Sequence, residues 1–187
     1  MKKKFLNGIK NNLIKTNDKL KLNIIFNYYL IIKYFMSKPK LLISVIILNS
    51  KEDKILLIQK KHKDYYQFFD KRLEFGEEFL SSAINIVENN LNYNIEINKE
   101  RFKYICCFNA TNKEINSHFV IINFLLILTL EENKFFENFQ YFNYNIYNIK
   151  WSSFNDLKNI KLFYGIEIFI KKFKLENFAQ IKNILSN

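Results

Sequence analysis

The chain has 187 residues, of which 49% are hydrophobic and 17% aromatic, enough to form the core of one domain with an appended segment. The net charge is +11, but residues 1–40 hold ten lysines and one acid, so +9 lies there and +2 remains for residues 41–187. This distribution excludes a uniformly basic domain. Scarce glycine and proline, with abundant Asn, Lys, Ile, Phe and Tyr, are typical of an A+T-rich genome.

Residues 1–40 are predicted to form a basic helical arm in front of a domain at 41–187. RNA or an acidic protein surface would attract such an arm. Its apolar part, 22–36, is interrupted by Asn and Lys and is shorter than the roughly 20 apolar residues of a spanning helix, so we expect no transmembrane segment. The arm has no signal-peptide cleavage site and is not rich in the Arg and Ser of a presequence, and the sequence does not decide whether Met36 is an alternative start. The lysines predicted to bind a partner are Lys2, Lys3, Lys4, Lys10, Lys15, Lys19 and Lys21.

Two apolar runs after the arm, at 41–50 and 54–61, predict strands that a short turn joins into a hairpin. Residues 79–91 have helical spacing, and two further strands are predicted at 102–110 and 117–130. The apolar residues of the predicted helix that share one face are Leu80, Ala83, Ile84, Val87 and Leu91.

The last third of the chain begins with an Asn- and aromatic-rich stretch, 133–149. It suits an insertion that lies on a partner, and compositional bias explains it equally well. A strand ending at Trp151, a short helix and a closing helix at 165–185 complete the pattern. Strands and helices are mixed without strict alternation, so the predicted class is α+β with a mixed sheet.

Cys106 and Cys107 are adjacent in an apolar run that is predicted to be a strand. Neighbouring side chains of a strand point to opposite faces, so we expect no disulfide between them, and no metal-ligand spacing is present. Both thiols are expected to be buried, in an intracellular reducing compartment, either cytoplasm or an organelle matrix.

The stretch QFFDKRLEFGEEFLSSAINIVENNL, residues 67–91, resembles the signature box of the Nudix hydrolase superfamily. RLEFGEE matches the loop around the first glutamate of that box, Glu77, and IKWSSFNDL resembles the family's closing W-x-x-x-x-x-L. The order of such segments from about Leu41 to Lys172 is most similar to the GDP-mannose mannosyl hydrolase branch. The resemblance implies an α/β/α sandwich with a mixed sheet, here preceded by the basic helical extension.

The residues that carry the family's chemistry are replaced in this chain. Ile86, Asn89 and Asn90 stand where the resemblance places glutamates that hold Mg²⁺ or Mn²⁺. These ions prefer carboxylate oxygens, whereas amides are neutral and Ile86 offers no ligand. We therefore expect no catalytic residue and no cofactor. Glu77 is the residual metal candidate, with helix capping as its alternative role.

At 100° per residue, Ile86, Asn89 and Asn90 are predicted to share one face of the helix, away from its core face. Glu88 lies roughly 100° from that shared face, so it cannot replace the missing ligands. Asp70 and Lys71 stand where the family has two glycines, and Asp70 adds negative charge beside the implied phosphate site. The candidates for substrate binding, with packing as the alternative for the aromatic ones, are Tyr66, Phe68, Arg72 and His118.

Three hypotheses follow for the function. The first is a catalytically degenerate Nudix-fold binding module, which its arm attaches to RNA or an acidic partner in a larger, ribosome-like or organellar assembly. The second is a divergent Nudix hydrolase that cleaves a nucleoside diphosphate-sugar or related nucleotide and needs Mg²⁺ or Mn²⁺. The third is a structural subunit that contacts only protein. Metal binding and turnover separate the second from the others.

Overall fold

The computed structural model describes residues 39–91, 97–112, 117–138, 145–178 and 180–181. Residues 1–38 of the predicted arm, with the lysines expected to bind a partner, lie outside these residues, and Lys40 already belongs to the first strand. Within them, six strands form one mixed sheet with the order β4-β5-β1-β2-β6, and β3 pairs with β1. The strands are β1 (Lys40–Leu48), β2 (Lys54–Lys60), β3 (Phe69–Arg72), β4 (Lys103–Asn112), β5 (Ser117–Ile127) and β6 (Ile146–Ser153).

Strand β1 lies at the centre of the sheet, which explains its nearly continuous apolar sequence. It pairs in parallel with β5 along its whole length and antiparallel with β3 from Leu42 to Val45. The predicted strands are confirmed, but the predicted hairpin is correct only beside the turn, where Leu48 pairs with Ile55. Beyond that point β3 takes the edge of β1, and β2 pairs with β6 instead.

Three α-helices of nine or more residues lie in the described part of the chain: α1 (Phe79–Leu91), α2 (Leu130–Asn138) and α3 (Tyr164–Lys172). The predicted short helix after Trp151 is a 3-10 helix, Asp156–Asn159, and a second 3-10 helix covers Lys99–Arg101. Helix α1 has the predicted bounds. The interpretation of 133–149 as an insertion is wrong for its described parts, because α2 and β6 belong to the fold and bury Phe136 and Ile146. The closing helix is shorter than predicted.

Helix α3 ends because Lys174 adopts the left-handed conformation, with φ +49°, and the backbone N–H of Leu175 then donates to Ile170 O at 3.0 Å. Such a residue stops a helix by directing the next N–H groups back to its last carbonyls. Lysine carries no sequence signal for this conformation, unlike glycine. None of the helices that the structure describes is long and apolar enough to cross a membrane.

Two apolar clusters fill the space on either side of the sheet. One lies on the side of α1 and includes Ile43, Phe124 and Val87, and the other lies on the side of α3 and includes Ile46 and Phe169. Alternate residues of β1 and β5 supply the two clusters because successive side chains of a strand point to opposite faces. The architecture is therefore the α/β/α sandwich with a mixed sheet that the sequence predicts.

Cys106 and Cys107 are both free, the first buried and the second exposed. The expectation that both thiols are buried is wrong for Cys107, because neighbouring side chains of a strand point to opposite faces. Burial raises the pKa of the Cys106 thiol to about 11, so it is protonated at neutral pH.

Candidate functional site

The loop that corresponds to the box signature runs from Leu73 to Glu78, between β3 and α1. Gly76 has φ +84°, a conformation that favours glycine, and lies within the RLEFGEE segment of this loop. The Glu77 carboxylate accepts a hydrogen bond from the backbone N–H of Glu74 at 2.9 Å and pairs with the Lys71 ammonium. Glu77 thus stabilises the loop in which it lies.

Lys71 occupies the position of a box glycine and neutralises the residual metal candidate. Its hydrogen bond to Glu77, together with the Glu74 N–H, lowers the pKa of that carboxyl below its usual value. The carboxylate is ionised but already has a cation beside it. A divalent ion at Glu77 would first have to displace the Lys71 ammonium.

The position of Ile86 corrects the predicted helix face. Ile86 is 2% exposed and belongs to the core cluster beneath α1, together with Ala83 and Val87. It does not share an open face with Asn89, which is exposed, and Asn90, which is half-buried. The side chains at 83, 86 and 87 have the i, i+3, i+4 spacing of one helical stripe, so Ile86 packs where a core residue is expected.

The donor set around α1 does not fit a divalent metal ion. Mg²⁺ requires near-octahedral oxygen ligands, usually with one or two carboxylates. Here the Asn90 amide nitrogen donates to Ile86 O at 2.7 Å, Ile86 is apolar, and Glu77 is engaged by Lys71. In the described ranges, no group of three or more His, Cys, Asp or Glu side chains could hold a metal.

A cleft lies on the opposite side of the sheet, beneath the start of α3. Its space, including the open mouth, is about 310 Å³. Along its floor Asp70 of β3, Ser44 of β1 and Asn123 of β5 stand side by side, because Ser44 is in register with both of the others. Gln67 joins this polar row from the segment before β3.

The row is buried and only partly connected by hydrogen bonds. Ser44, Gln67 and Asn123 are 4%, 4% and 1% exposed. The Gln67 amide donates to Asp70 Oδ1 at 2.7 Å, and the Lys60 ammonium pairs with the same carboxylate. Asn123 Nδ2 donates to a sulfur, Cys106 Sγ, at 3.8 Å, a weaker bond than one to oxygen.

The rest of the cleft wall is apolar or backbone. Phe68, Phe108 and Phe163 present aromatic surface, and Gly165 brings the backbone of α3 close to the floor. A Cβ at Gly165 would lie 2.9 Å from Phe163 Cε1 and 3.0 Å from Ile121 Cδ1, so the cleft depends on glycine there. The combination is a small apolar wall over a polar floor.

The structure separates the four residues predicted to bind substrate. Phe68 lines the cleft but is 6% exposed and packs edge-on against Phe169, with ring centroids 6.3 Å apart. Tyr66 is held by backbone bonds with 161–163, and its hydroxyl accepts a hydrogen bond from Asn148 at 2.9 Å. Arg72 is exposed and His118 is half-buried, and neither lines the cleft. Their binding roles stay predictions.

Sequence reasoning missed Ser44, Gln67 and Asn123. The signal was present for two of them, since Ser44 and Asn123 interrupt the apolar runs LLISVIIL and VIINFLLI at positions that a central strand buries. Only the strand register shows that they meet.

Comparison with solved structures shows the Nudix fold. A NUDIX hydrolase from Nitrosomonas europaea has a TM-score of 0.51 at 14% identity, covering 66% of this chain and 78% of that one. The NUDIX domain of Shewanella oneidensis NrtR, in complex with ADP ribose, has a TM-score of 0.55 at 10% identity, covering 72% and 86%. The MutT NUDIX hydrolase from Burkholderia pseudomallei has a TM-score of 0.53 at 16% identity, covering 72% and 98%. At the sequence level, no family model and no curated protein matches the chain.

Proposed function

We propose that the chain is a catalytically degenerate Nudix-fold binding module, which has the fold of a hydrolase but not the residues that would bind its metal ion. The observation that supports this most directly is the burial of Ile86, because a core side chain occupies the position where the box resemblance places a metal-binding glutamate. Asn89 and Asn90 add no carboxylate, and Lys71 already neutralises Glu77. Pyrophosphate cleavage needs a divalent ion to neutralise the phosphoryl oxygens, and this donor set does not supply one.

The competing function is a divergent hydrolase that cleaves a nucleoside diphosphate-sugar or related nucleotide. The structural neighbours favour it, since they are described as hydrolases or as a domain in complex with ADP ribose. The order of the sequence segments, similar to the GDP-mannose mannosyl hydrolase branch, points the same way. Both arguments concern the fold and the order of its segments. The donor set instead concerns the residues that would have to hold the metal ion for cleavage.

The first prediction is that the purified chain neither binds divalent metal tightly nor turns over nucleotides. Calorimetric titration with Mg²⁺ and with Mn²⁺ is expected to give dissociation constants above about 1 mM. Product release from GDP-mannose, ADP-ribose and nucleoside triphosphates is expected to equal that of a blank without protein, while a Nudix hydrolase assayed in parallel is active. Micromolar metal affinity together with turnover of a sugar nucleotide would establish the hydrolase instead.

The proposal includes attachment to RNA or an acidic protein surface, in a larger ribosome-like or organellar assembly, through the arm at 1–40. Ten lysines and one acid in that segment support it, because phosphate groups attract clustered cations. A reducing compartment, cytoplasm or organelle matrix, suits the two free thiols of Cys106 and Cys107.

The second prediction is that the arm supplies most of the affinity for single-stranded RNA. Changing its seven candidate lysines to Gln is expected to weaken binding to a 20-nucleotide oligomer and to reduce the salt slope by up to about 5, at roughly 0.7 per phosphate contact. Fluorescence anisotropy at several salt concentrations measures both. The control carries seven Gln substitutions at exposed body lysines: Lys51, Lys61, Lys99, Lys103, Lys150, Lys158 and Lys171. Equal losses in the two variants would show that net charge, not the arm, drives binding.

A further inference from the structure

Exposed apolar side chains gather at the loop between β3 and α1. Phe75 is 108% exposed, so it is as open to water as a phenylalanine in an extended chain, and Phe79, the first residue of α1, is 47% exposed. Leu41, 39% exposed, lies beside the start of the loop, because its carbonyl accepts a hydrogen bond from the Leu73 N–H at 3.0 Å. Single exposed apolar residues are ordinary, but these three are half of the six large ones in the described ranges. We call Phe75, Phe79 and Leu41 the apolar tip.

The backbone that carries Phe75 is fixed by a tight turn. The N–H of Glu77 donates to Glu74 O at 3.2 Å, and the Glu77 carboxylate accepts from the Glu74 N–H at 2.9 Å. The Lys71 ammonium pairs with that carboxylate, and Gly76 supplies the positive φ of the turn. A segment that is already ordered loses little conformational entropy on binding. An exposed aromatic ring on such a turn is therefore suited to anchor a protein interface.

The charge beside the apolar tip is negative. Glu74 and Glu78 are both exposed, and they precede Phe75 and Phe79 directly in the chain. Each phenylalanine of the tip thus has a carboxylate as its neighbour. A partner that covers these rings would have to approach the carboxylates as well, so cations on the partner would strengthen the contact and anions would weaken it.

Two exposed cations close to the loop in sequence belong to the other face of the sheet. Lys40 Nζ lies 5.6 Å from the ring centroid of Phe119, which packs against the cluster on the side of α3. Arg72 is in register with Leu42, which packs against the same cluster, and residues paired in register point to the same face. These cations therefore do not cancel the negative charge beside the apolar tip.

We propose that the apolar tip docks on a basic protein segment, one that receives Phe75 in an apolar pocket lined by lysine or arginine side chains. Glu74 and Glu78 select this partner, because they attract such cations and repel the phosphates of RNA and of anionic lipids. The inference goes beyond the proposed function and does not depend on the loss of catalysis, since it uses an exposed turn and no metal ion. The basic arm and the apolar tip then recognise partners of opposite charge.

The test selects peptides from a random library displayed on phage, with the immobilised full chain as the target. Peptides that also bind the variant F75S/F79S are discarded, which removes those held by other surfaces, including acidic peptides held by the arm. The remaining peptides are expected to be rich in Lys and Arg next to apolar residues. Thermal unfolding of F75S/F79S checks that the variant is folded.

Fluorescence anisotropy with one selected peptide then separates the ring from the charges. F75A is expected to weaken binding at least about tenfold. E74Q/E78Q is expected to weaken it about three- to tenfold and to reduce its dependence on salt. The matched control is Y147A, because Tyr147 is an aromatic residue on β6 that is 72% exposed, and it is expected to bind like wild type. Phe75 is fully exposed, so F75A is expected to fold normally.

The proposal is overturned if wild type and F75S/F79S retain the same peptides, or if the retained peptides are not basic. It is also overturned if Y147A weakens binding as much as F75A, or if E74Q/E78Q binds as tightly as wild type. A peptide-independent role would be shown if F75A instead lost affinity for the RNA oligomer or for vesicles of phosphatidylcholine and phosphatidylserine, and either result would overturn the choice of a protein partner. Turnover in the metal-containing assay would contradict only the proposed loss of catalysis, so the two failures are distinguishable.

Discussion

Replacing Ile86 with glutamate, the residue that the Nudix box resemblance places there, is expected to lower the free energy of unfolding by about 3–5 kcal/mol at pH 7. Ile86 is 2% exposed among the apolar side chains beneath α1. A carboxylate there would lose its hydration, and with Glu77 engaged by Lys71, the described residues provide no cluster of ligands that could hold a divalent ion beside it. Urea unfolding followed by circular dichroism measures the loss.

The matched control for I86E is N89E, which adds the same carboxylate three residues along α1 at an exposed position. Its effect is expected to stay within about 0.5 kcal/mol. Burial raises the pKa of a carboxyl in the folded state, so the folded I86E chain binds the extra proton. The loss of unfolding free energy in I86E therefore becomes smaller as the pH falls towards about 4.3, the pKa of a glutamate in the unfolded chain. Equal stabilities for I86E and N89E would mean that position 86 faces an open site.

Helix α1 shows what a sequence pattern does and does not determine. The pattern places its bounds correctly, and apolar spacing identifies Ala83 and Val87 as buried. The family resemblance places Ile86 at the metal site, whereas its apolar side chain and its spacing from Ala83 favour the core. Position 86 lies on the same helical stripe as Ala83 and Val87, so its side chain is directed to the core.

The sheet shows a second limit. Strands are recognised from their apolar runs, but the partner of each strand depends on the whole fold, so the hairpin between β1 and β2 closes only at Leu48 and Ile55. The register that aligns Ser44 with Asn123 is equally invisible in a single chain segment. Local chemistry predicts the elements here, and long-range pairing assembles the cleft.

Replacing Arg101 with methionine is expected to cost about 2–3 kcal/mol of unfolding free energy, because Glu132 loses hydrogen bonds to a cation. The Arg101 guanidinium donates to both Glu132 carboxylate oxygens, at 2.6 and 2.7 Å, and to Ile127 O at 2.7 Å. Glu132 is 8% exposed and also caps α2 by accepting from the Thr129 N–H at 2.7 Å. Methionine keeps the apolar stem of the side chain and removes only the charge and the donors.

The pH dependence of this loss distinguishes a charge pair from lost packing. Burial alone would raise the pKa of Glu132, but hydrogen bonds from Arg101 and Thr129 outweigh it and hold the pKa below its usual value. The pair therefore stabilises the fold above the unfolded pKa of about 4.3 and ceases to do so as the pH falls through the lower folded value. The free energies of unfolding of wild type and R101M are expected to differ by the full amount at pH 7 and to become nearly equal at about pH 3. K161M, which breaks the exposed pair with Asp64, is expected to leave the stability close to that of wild type at either pH, because solvent screens such a pair. A loss in R101M that stays constant from pH 7 to pH 3 would show that Arg101 acts through packing alone.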